Sequence, residues 1–213
     1  MKNLLLMAFA ILTIGCGEQN PDGDKSTHVN QMRFVKGTFY LKNSDNPYTG
    51  KIIDSFKNGG KKIEFNIKNG KPHGLSTQWY ENGKMQAKVN NRDGKHDGLT
   101  ERWYENGQKA EEATYKEGKG NGLVLHWFEN GQKAEESTYK AGELDGPGVS
   151  WHENGQKEME GKWKNGQQEG LLTAWHENGL KQMEAMFKEG EPISEKYWNS
   201  KGEPVDSLEE ARK

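Results

Sequence analysis

A period of 24 residues is the feature that most constrains how this chain can fold. Trp79, Trp103, Trp127, Trp151 and Trp175 recur at that spacing. A period of this length is the signature of repeat arrays, in which each unit buries its apolar face against its neighbours. Three glycine columns keep the same spacing: Gly59, Gly83, Gly107, Gly131, Gly155 and Gly179; Gly70, Gly94, Gly118, Gly142, Gly166 and Gly190; Gly50, Gly74, Gly98, Gly122, Gly146 and Gly170.

Each unit is predicted to be a β-hairpin. An Asn-Gly pair precedes the second half of every unit, from Asn58-Gly59 to Asn178-Gly179. Asn-Gly between two alternating segments indicates a type I′ turn, because both residues tolerate positive φ. The pattern ends at a degenerate unit, where Trp198 and Gly202 come one residue early.

Side-chain alternation within the units favours half-buried antiparallel strands over helices. Ala113 and Tyr115 share one face of a predicted strand, whereas Glu112 and Lys116 point the other way. Only 31% of the residues are hydrophobic and the mean hydropathy is −1.10, which is too little apolar surface for one deep core. We therefore predict an all-β fold, an elongated single-layer antiparallel sheet or solenoid of 24-residue hairpins.

The N-terminus has the pattern of a bacterial lipoprotein signal. Leu4–Ile14 is an apolar run too short to span a bilayer as a helix, and it suits the central region of a signal peptide. The run leads to Gly15-Cys16, which resembles a lipobox, and Cys16 is the only cysteine. We predict lipidation of Cys16, so that the membrane is reached through a lipid anchor.

Four segments follow from these patterns. Residues 1–15 are predicted to be the signal peptide, and residues 16–33 the lipidated cysteine with a flexible tether. The hairpin array is predicted over residues 34–202, and residues 203–213 form a C-terminal tail. By family resemblance, Gly17 in place of Asp after the lipidated cysteine implies an outer-membrane location in the cell envelope, if the bacterium has two membranes.

The order Trp-Tyr-Glu-Asn-Gly-Gln-Lys over residues 103–109, then Tyr-Lys-Glu-Gly over residues 115–118 and a third glycine, resembles the MORN-repeat variant family. That family includes YwqK-like antitoxins of toxin–antitoxin systems. The resemblance implies an elongated sheet of consecutive hairpins. It implies no defined activity, since function resides in sites rather than in folds.

The sequence predicts no enzyme, no metal site and no cofactor. It contains no Gly-x-Ser-x-Gly elbow, no phosphate loop and no His-Glu-x-x-His. His152 and His176 are equivalent positions, which would lie roughly 9.6 Å apart in stacked hairpins, too far to share one ion. Other units hold aromatic residues there, so an aromatic slot is the better interpretation. The formal net charge of −2 gives no reason to expect nucleic-acid binding.

The tryptophan column has two interpretations. It packs hairpin on hairpin and supplies the burial that thin repeats lack, or it forms an exposed aromatic stripe that binds a peptide or glycan. Because one edge of a Trp side chain can stay in water, both can hold. The candidate partner-binding residues are Trp79, Trp103, Trp127, Trp151, Trp175, Tyr104 and Phe128.

The predicted function is a non-catalytic, membrane-anchored scaffold that binds an unknown protein partner through its repeat surface. Two alternatives remain open. The chain is an antitoxin or immunity lipoprotein that neutralises a toxin, or it is a cell-wall or glycan-binding module. Choline- and glucan-binding repeats also combine aromatics with similar turns, but they usually have a shorter period. The sequence does not distinguish oligomeric states.

Overall fold

The computed structural model describes residues 26–212, and the chain there is almost entirely β-structure. A short 3-10 helix, Val29–Gln31, lies near the start, and one α-helix, α1 (Leu208–Ala211), lies near the end. The strands are β1 Ser26–His28, β2 Met32–Val35, β3 Thr38–Leu41, β4 Gly50–Ser55, β5 Lys61–Lys68, β6 Lys71–Trp79, β7 Met85–Arg92, β8 Lys95–Trp103, β9 Lys109–Lys116, β10 Lys119–Trp127, β11 Lys133–Lys140, β12 Glu143–Trp151, β13 Lys157–Lys164, β14 Gln167–Gln168, β15 Gly170–Trp175, β16 Lys181–Lys188, β17 Glu191–Trp198 and β18 Pro204–Val205.

Sixteen of these strands form one sheet in which sequence neighbours pair with each other. From β4 to β18 the order follows the chain, except that β14 pairs with β13 beside β15. The pairing is antiparallel throughout, apart from β1, which lies parallel to β4. At about 4.8 Å per strand, the fifteen-strand path measures roughly 65 Å. The predicted all-β fold of consecutive antiparallel hairpins is confirmed.

A row of small buried side chains runs across the sheet, and we call it the seam. Thr100 is paired with Ala113 and Ala113 with Val124, so these residues have seam neighbours on adjacent strands. Thr100 is fully buried and Ala113 is 1% exposed. Burial in a single sheet is possible because larger side chains flank the row. The seam comprises Ile52, Phe65, Ser76, Val89, Thr100, Ala113, Val124, Ser137, Gly148, Gly161, Leu172 and Ala185.

The prediction that the Asn-Gly pairs from Asn58-Gly59 to Asn178-Gly179 form type I′ turns is wrong. The positive-φ pairs are instead the two residues at the second glycine column, such as Glu117 (φ 51°) and Gly118 (φ 83°). These two-residue turns match the right-handed twist of the strands. At Asn106-Gly107 only the glycine has positive φ. The Gly107 amide donates to the Tyr104 carbonyl (2.8 Å), which is a type I turn followed by a left-handed glycine.

The strands therefore end at two different rims of the sheet. The tight-turn rim contains the two-residue turns at residues 69–70, 93–94, 117–118, 141–142, 165–166 and 189–190. The Asn-Gly rim contains the loops that enclose each Asn-Gly pair. Successive turns are linked along the tight-turn rim, since the Gly118 amide donates to the His96 carbonyl (2.7 Å) of the preceding unit.

Both ends of the sheet are covered by local structure. Residues 26–33, which the sequence analysis placed in a flexible tether, form β1, the 3-10 helix and the start of β2. Met32 packs there in a cluster with Ile52 and Ile67, because the β2–β3 hairpin closes over the first unit. At the other end, β18 and α1 fold within the predicted tail, and Ala211 is fully buried. Terminal caps of this kind shield the last exposed face of a repeat array.

Candidate functional site

The five predicted tryptophans lie in one row on the face of the sheet opposite the seam, which we call the tryptophan face. Trp103 pairs across the hairpin with Lys109, whose ammonium lies 5.7 Å from the ring centroid of Trp127 in the next unit. Tryptophan and lysine thus alternate along the row, and every tryptophan in it is half-buried. The same stacking joins Lys61 to Trp79, Lys88 to Trp103, Lys133 to Trp151, Lys157 to Trp175 and Lys181 to Trp198.

A carboxylate three residues later holds most of these lysines in place. Lys133 Nζ lies 2.6 Å from Glu136, and Lys157 Nζ lies 2.6 Å from Glu160. Lys109 bonds both Glu112 and Glu101, and its hydrogen bond to Glu112 is the main cause that raises the pKa of Lys109. The carboxylates therefore hold most of these ammonium groups over the tryptophan rings, which is the arrangement that cation–π attraction requires.

Leucine side chains form a second row on the tryptophan face. Leu99 lies two residues before Glu101 and four before Trp103 in β8, so all three share the face. The leucines are much more exposed than the seam: Leu75 42%, Leu99 40%, Leu123 46% and Leu171 49%. Pro147 occupies the equivalent position in β12 and is also exposed. The row repeats every second strand, which spaces the leucines by roughly 9.6 Å.

The Asn side chains of the Asn-Gly rim join neighbouring loops. Asn106 Oδ1 accepts from the Gln108 amide (2.8 Å) within its own loop. Its Nδ2 donates to the Glu129 carbonyl (2.8 Å) in the next loop. The same pair of bonds recurs at Asn58, Asn82, Asn130, Asn154 and Asn178.

An aromatic slot beside each loop makes a second link along this rim. The Tyr104 hydroxyl donates to the Trp127 carbonyl (2.7 Å), and burial is the main cause that raises the pKa of Tyr104. His152 Nε2 is 3.0 Å from the Trp175 carbonyl and makes the corresponding bond. Phe128 fills the same slot without a polar group. Tyr104 and Phe128 are both half-buried, so they contribute to unit stacking whatever else they bind.

We expect two substitutions at Asn106 to distinguish the contributions of its two hydrogen bonds to the free energy of unfolding. Asn106→Asp keeps the oxygen that accepts from Gln108 but loses the donor to Glu129, and it should cost roughly 0.5–1 kcal/mol of unfolding free energy. Asn106→Ala loses both bonds and should cost roughly 1–2 kcal/mol. Urea denaturation of both variants measures the difference. Equal losses would contradict a separate role for the bond between units.

The part of the chain that the structure describes contains no group of three or more His, Cys, Asp or Glu side chains placed to hold a metal ion. No helix within residues 26–212 is long and apolar enough to cross a membrane. Cys16 lies outside the described residues, so its lipidation stays a prediction.

Comparison with protein families shows a match within the repeat array. Four segments match the MORN repeat variant: residues 72–90, 97–117, 121–141 and 144–165. These four segments are similar to MORN variant repeats. Each matched segment encloses one Asn-Gly loop and ends at or before the next tight turn, so the family model and the structure agree on the repeat unit. MORN repeats are generally modules for protein or membrane binding. Comparison with curated proteins gives no match.

Proposed function

We propose that the protein is a non-catalytic scaffold that binds a protein partner on its tryptophan face. The observation that carries this proposal is the leucine row. Leu75, Leu99, Leu123 and Leu171 are 40–49% exposed and lie in line across several units. Scattered exposed leucines are ordinary, but these four recur at the same position of their units, with the polar residues Asn90, Thr114 and Thr138 on the strands between them. A regular row of exposed apolar side chains indicates an interaction surface.

The chemistry of the face indicates which groups a partner would contact. The tryptophan rings already have lysine ammonium groups stacked on them, so the leucines are the apolar groups left open. Covering one half-exposed leucine gains about 1 kcal/mol, and only contact with several units would overcome the cost of association. An extended apolar segment that follows the row fits this requirement better than a compact ligand.

Paired serine substitutions test the proposed face. Leu99→Ser with Leu123→Ser removes the centre of the row. Leu180→Ser with Ile193→Ser removes two equally apolar side chains, 43% and 63% exposed, outside it. The amount of partner recovered from native envelopes by the full chain should fall about tenfold for the first pair, which is 1.4 kcal/mol, and should be unchanged for the second. Equal recovery by both pairs would overturn the proposal.

A lipid anchor on Cys16 is a second part of this proposal. It is supported by the apolar run Leu4–Ile14, which ends just before the only cysteine. Cys16→Ser should move the protein from the membrane fraction to the soluble fraction or leave it unprocessed, because a multiply acylated chain binds membranes firmly. Fractionation and intact mass measure this. Equal membrane partitioning with no mass change beyond the substitution would contradict the anchor.

In a narrower form of the proposal, the bound protein is a toxin and the chain is its antitoxin or immunity protein. The resemblance of the repeat motif to YwqK-like proteins supports this form. Protection of cells from that toxin should then require Leu99 and Leu123. If the serine variant recovers less of the partner but still protects cells, the bound partner is not the toxin.

A further inference from the structure

The β2–β3 hairpin ends in an apolar tip that the fold leaves uncovered. Phe34 is 49% exposed and Val35 is 42% exposed. The two-residue turn Lys36-Gly37, with φ of 48° and 80°, follows them directly. Among residues 26–212, Phe34 and Val35 are the only two large exposed apolar side chains that are consecutive in the sequence. The tip is therefore a candidate contact surface outside the repeat units.

The two apolar side chains lie on opposite sides of the hairpin, because side chains alternate along a strand. Phe34 shares its side with the buried Met32, and its ring lies 4.6 Å from that of Phe39, its cross-strand partner. Val35 shares the other side with Arg33. A protein that docked flat against one side of the hairpin would cover only one of the two. An apolar layer that the tip enters covers both.

The tip lies next to the first turn of the tight-turn rim. The Phe39 amide donates to the Gly70 carbonyl (2.8 Å), and Gly70 lies against the side chain of Thr38. Exposed Lys68 and Lys71 flank that turn and are paired with each other across the strands. Like charges in this position repel each other, so the pair does not help the fold.

Together with Lys36, this end of the rim has a local excess of positive charge. Neither the hairpin turn nor the first tight turn contains an acidic residue. None of the three lysines has an ion pair within the described part of the chain. The excess does not continue along the rim, because residues 92–97 hold two cations and two acids, and in the sixth turn Lys188 is outnumbered by Glu189 and Glu191.

We propose that the tip of the β2–β3 hairpin binds the surface of an anionic lipid bilayer. Phe34 and Val35 enter the interfacial layer, and Lys36, Lys68 and Lys71 bind the lipid phosphates. Apolar side chains beside cations are the combination that gives interfacial binding, and each lysine near an anionic surface strengthens it about fivefold. Lys36 keeps its ammonium at the phosphates while its alkyl stem follows the apolar side chains.

This contact is separate from the other surfaces of the molecule. It lies outside the four segments that match the MORN repeat variant, and it does not require the lipid anchor proposed at Cys16. The leucine row begins at Leu75 in β6, so binding of a protein partner there and binding of lipid at the tip are tested independently.

An environment-sensitive fluorophore on a single cysteine tests the inference. The full chain carries Cys16→Ser, which removes its only cysteine, together with Val35→Cys. The control carries Cys16→Ser with Ile193→Cys, because Ile193 is 63% exposed in β17 near the other end of the sheet. Both chains share residues 1–25, so binding through that segment is common to them. Circular dichroism checks folding, and vesicles of phosphatidylglycerol and phosphatidylethanolamine provide the anionic surface.

With these vesicles the fluorophore at position 35 should emit at shorter wavelength and with higher intensity, whereas the fluorophore at position 193 should stay in water. Lys68→Gln with Lys71→Gln, in the chain labelled at position 35, should raise the lipid concentration for the half-maximal change about thirtyfold. Lys140→Gln with Lys188→Gln, from later turns of the same rim, should leave that concentration unchanged.

Equal emission changes at positions 35 and 193 would overturn the proposal, and so would equal effects of the two lysine pairs. A fluorophore at position 35 that stays in water with vesicles but responds to envelope proteins would assign the tip to a protein partner and would also overturn it.

Discussion

Trp127→Ala is expected to lower the free energy of unfolding by about 2–4 kcal/mol. A buried core tryptophan costs about 3–5 kcal/mol when truncated, and Trp127 is half-buried. Its ring also carries the ammonium of Lys109 at 5.7 Å, and that attraction is lost with the ring. Because each hairpin is stable only through its neighbours, the loss weakens the joint between two units in the middle of the sheet.

Trp198→Ala is the matched control for this prediction. Trp198 has the same contact, with Lys181 at 5.4 Å, but it is followed by the two-residue strand β18 and the short helix α1 and by no further repeat unit among the described residues. We expect a loss of about 1 kcal/mol there, because a terminal unit can fray without opening the array. Urea denaturation followed by far-ultraviolet circular dichroism measures both. Equal losses would contradict stabilisation by neighbouring units.

Gly161→Val is expected to cost about 2–3 kcal/mol or more. A Cβ at Gly161 would lie 2.7 Å from Leu172 Cδ1 and 3.2 Å from the Trp163 ring. Gly148, its cross-strand partner, is equally crowded, since an added Cβ would lie 2.8 Å from Trp163. Overpacking of a filled site displaces its neighbours at a cost of this size.

The residues of the preceding unit suggest a control for the Gly161 substitution. In the preceding unit Ser137 and Tyr139 hold the positions that Gly161 and Trp163 hold here, so a smaller ring accompanies a larger seam residue. Gly161→Ser should be destabilising alone and much less so together with Trp163→Tyr. A double-mutant cycle measures the coupling, which we expect at about 1 kcal/mol. Additive effects would show that ring and seam sizes are not matched to each other.

Much of this architecture could be predicted from the sequence, because a period of 24 residues repeats the same local chemistry. Alternation of Ala113 and Tyr115 with Glu112 and Lys116 indicated strands, and the small column was the one that proved to be buried. Alternation within each strand does not show which side chains of the two strands of a hairpin lie on the same face of the sheet. This depends on register, which places Trp103 and the seam on opposite faces.

The misassigned turn has a physical reason. Asn-Gly is the usual type I′ pair, and only two of the six actual type I′ turns, Asn69-Gly70 and Asn165-Gly166, have it. Others hold residues such as Glu117 and Ala141, which rarely adopt positive φ. The asparagine is present because its side chain bonds two loops at once, as Asn106 does with Gln108 and Glu129. A bond to a residue 23 positions ahead follows only from the stacked structure.

The candidate site was predictable in position but not in surface chemistry. Spacing located the tryptophan row, yet the lysines that stack on it come from the neighbouring unit, as Lys109 does on Trp127. The leucine row was visible as a column containing Leu99 and Leu123. Its exposure, 40% at Leu99 and 46% at Leu123, followed only from the structure.

Site-specific photo-crosslinking in native cells tests whether a protein partner binds the tryptophan face. A photoreactive phenylalanine analogue is placed at Leu99 or Leu123 on the tryptophan face, or at Arg102, which is exposed on the opposite face. We expect one crosslinked protein, shared by positions 99 and 123 and absent from position 102. Crosslinks of equal yield from all three positions, or from position 102 alone, would contradict a partner-binding tryptophan face.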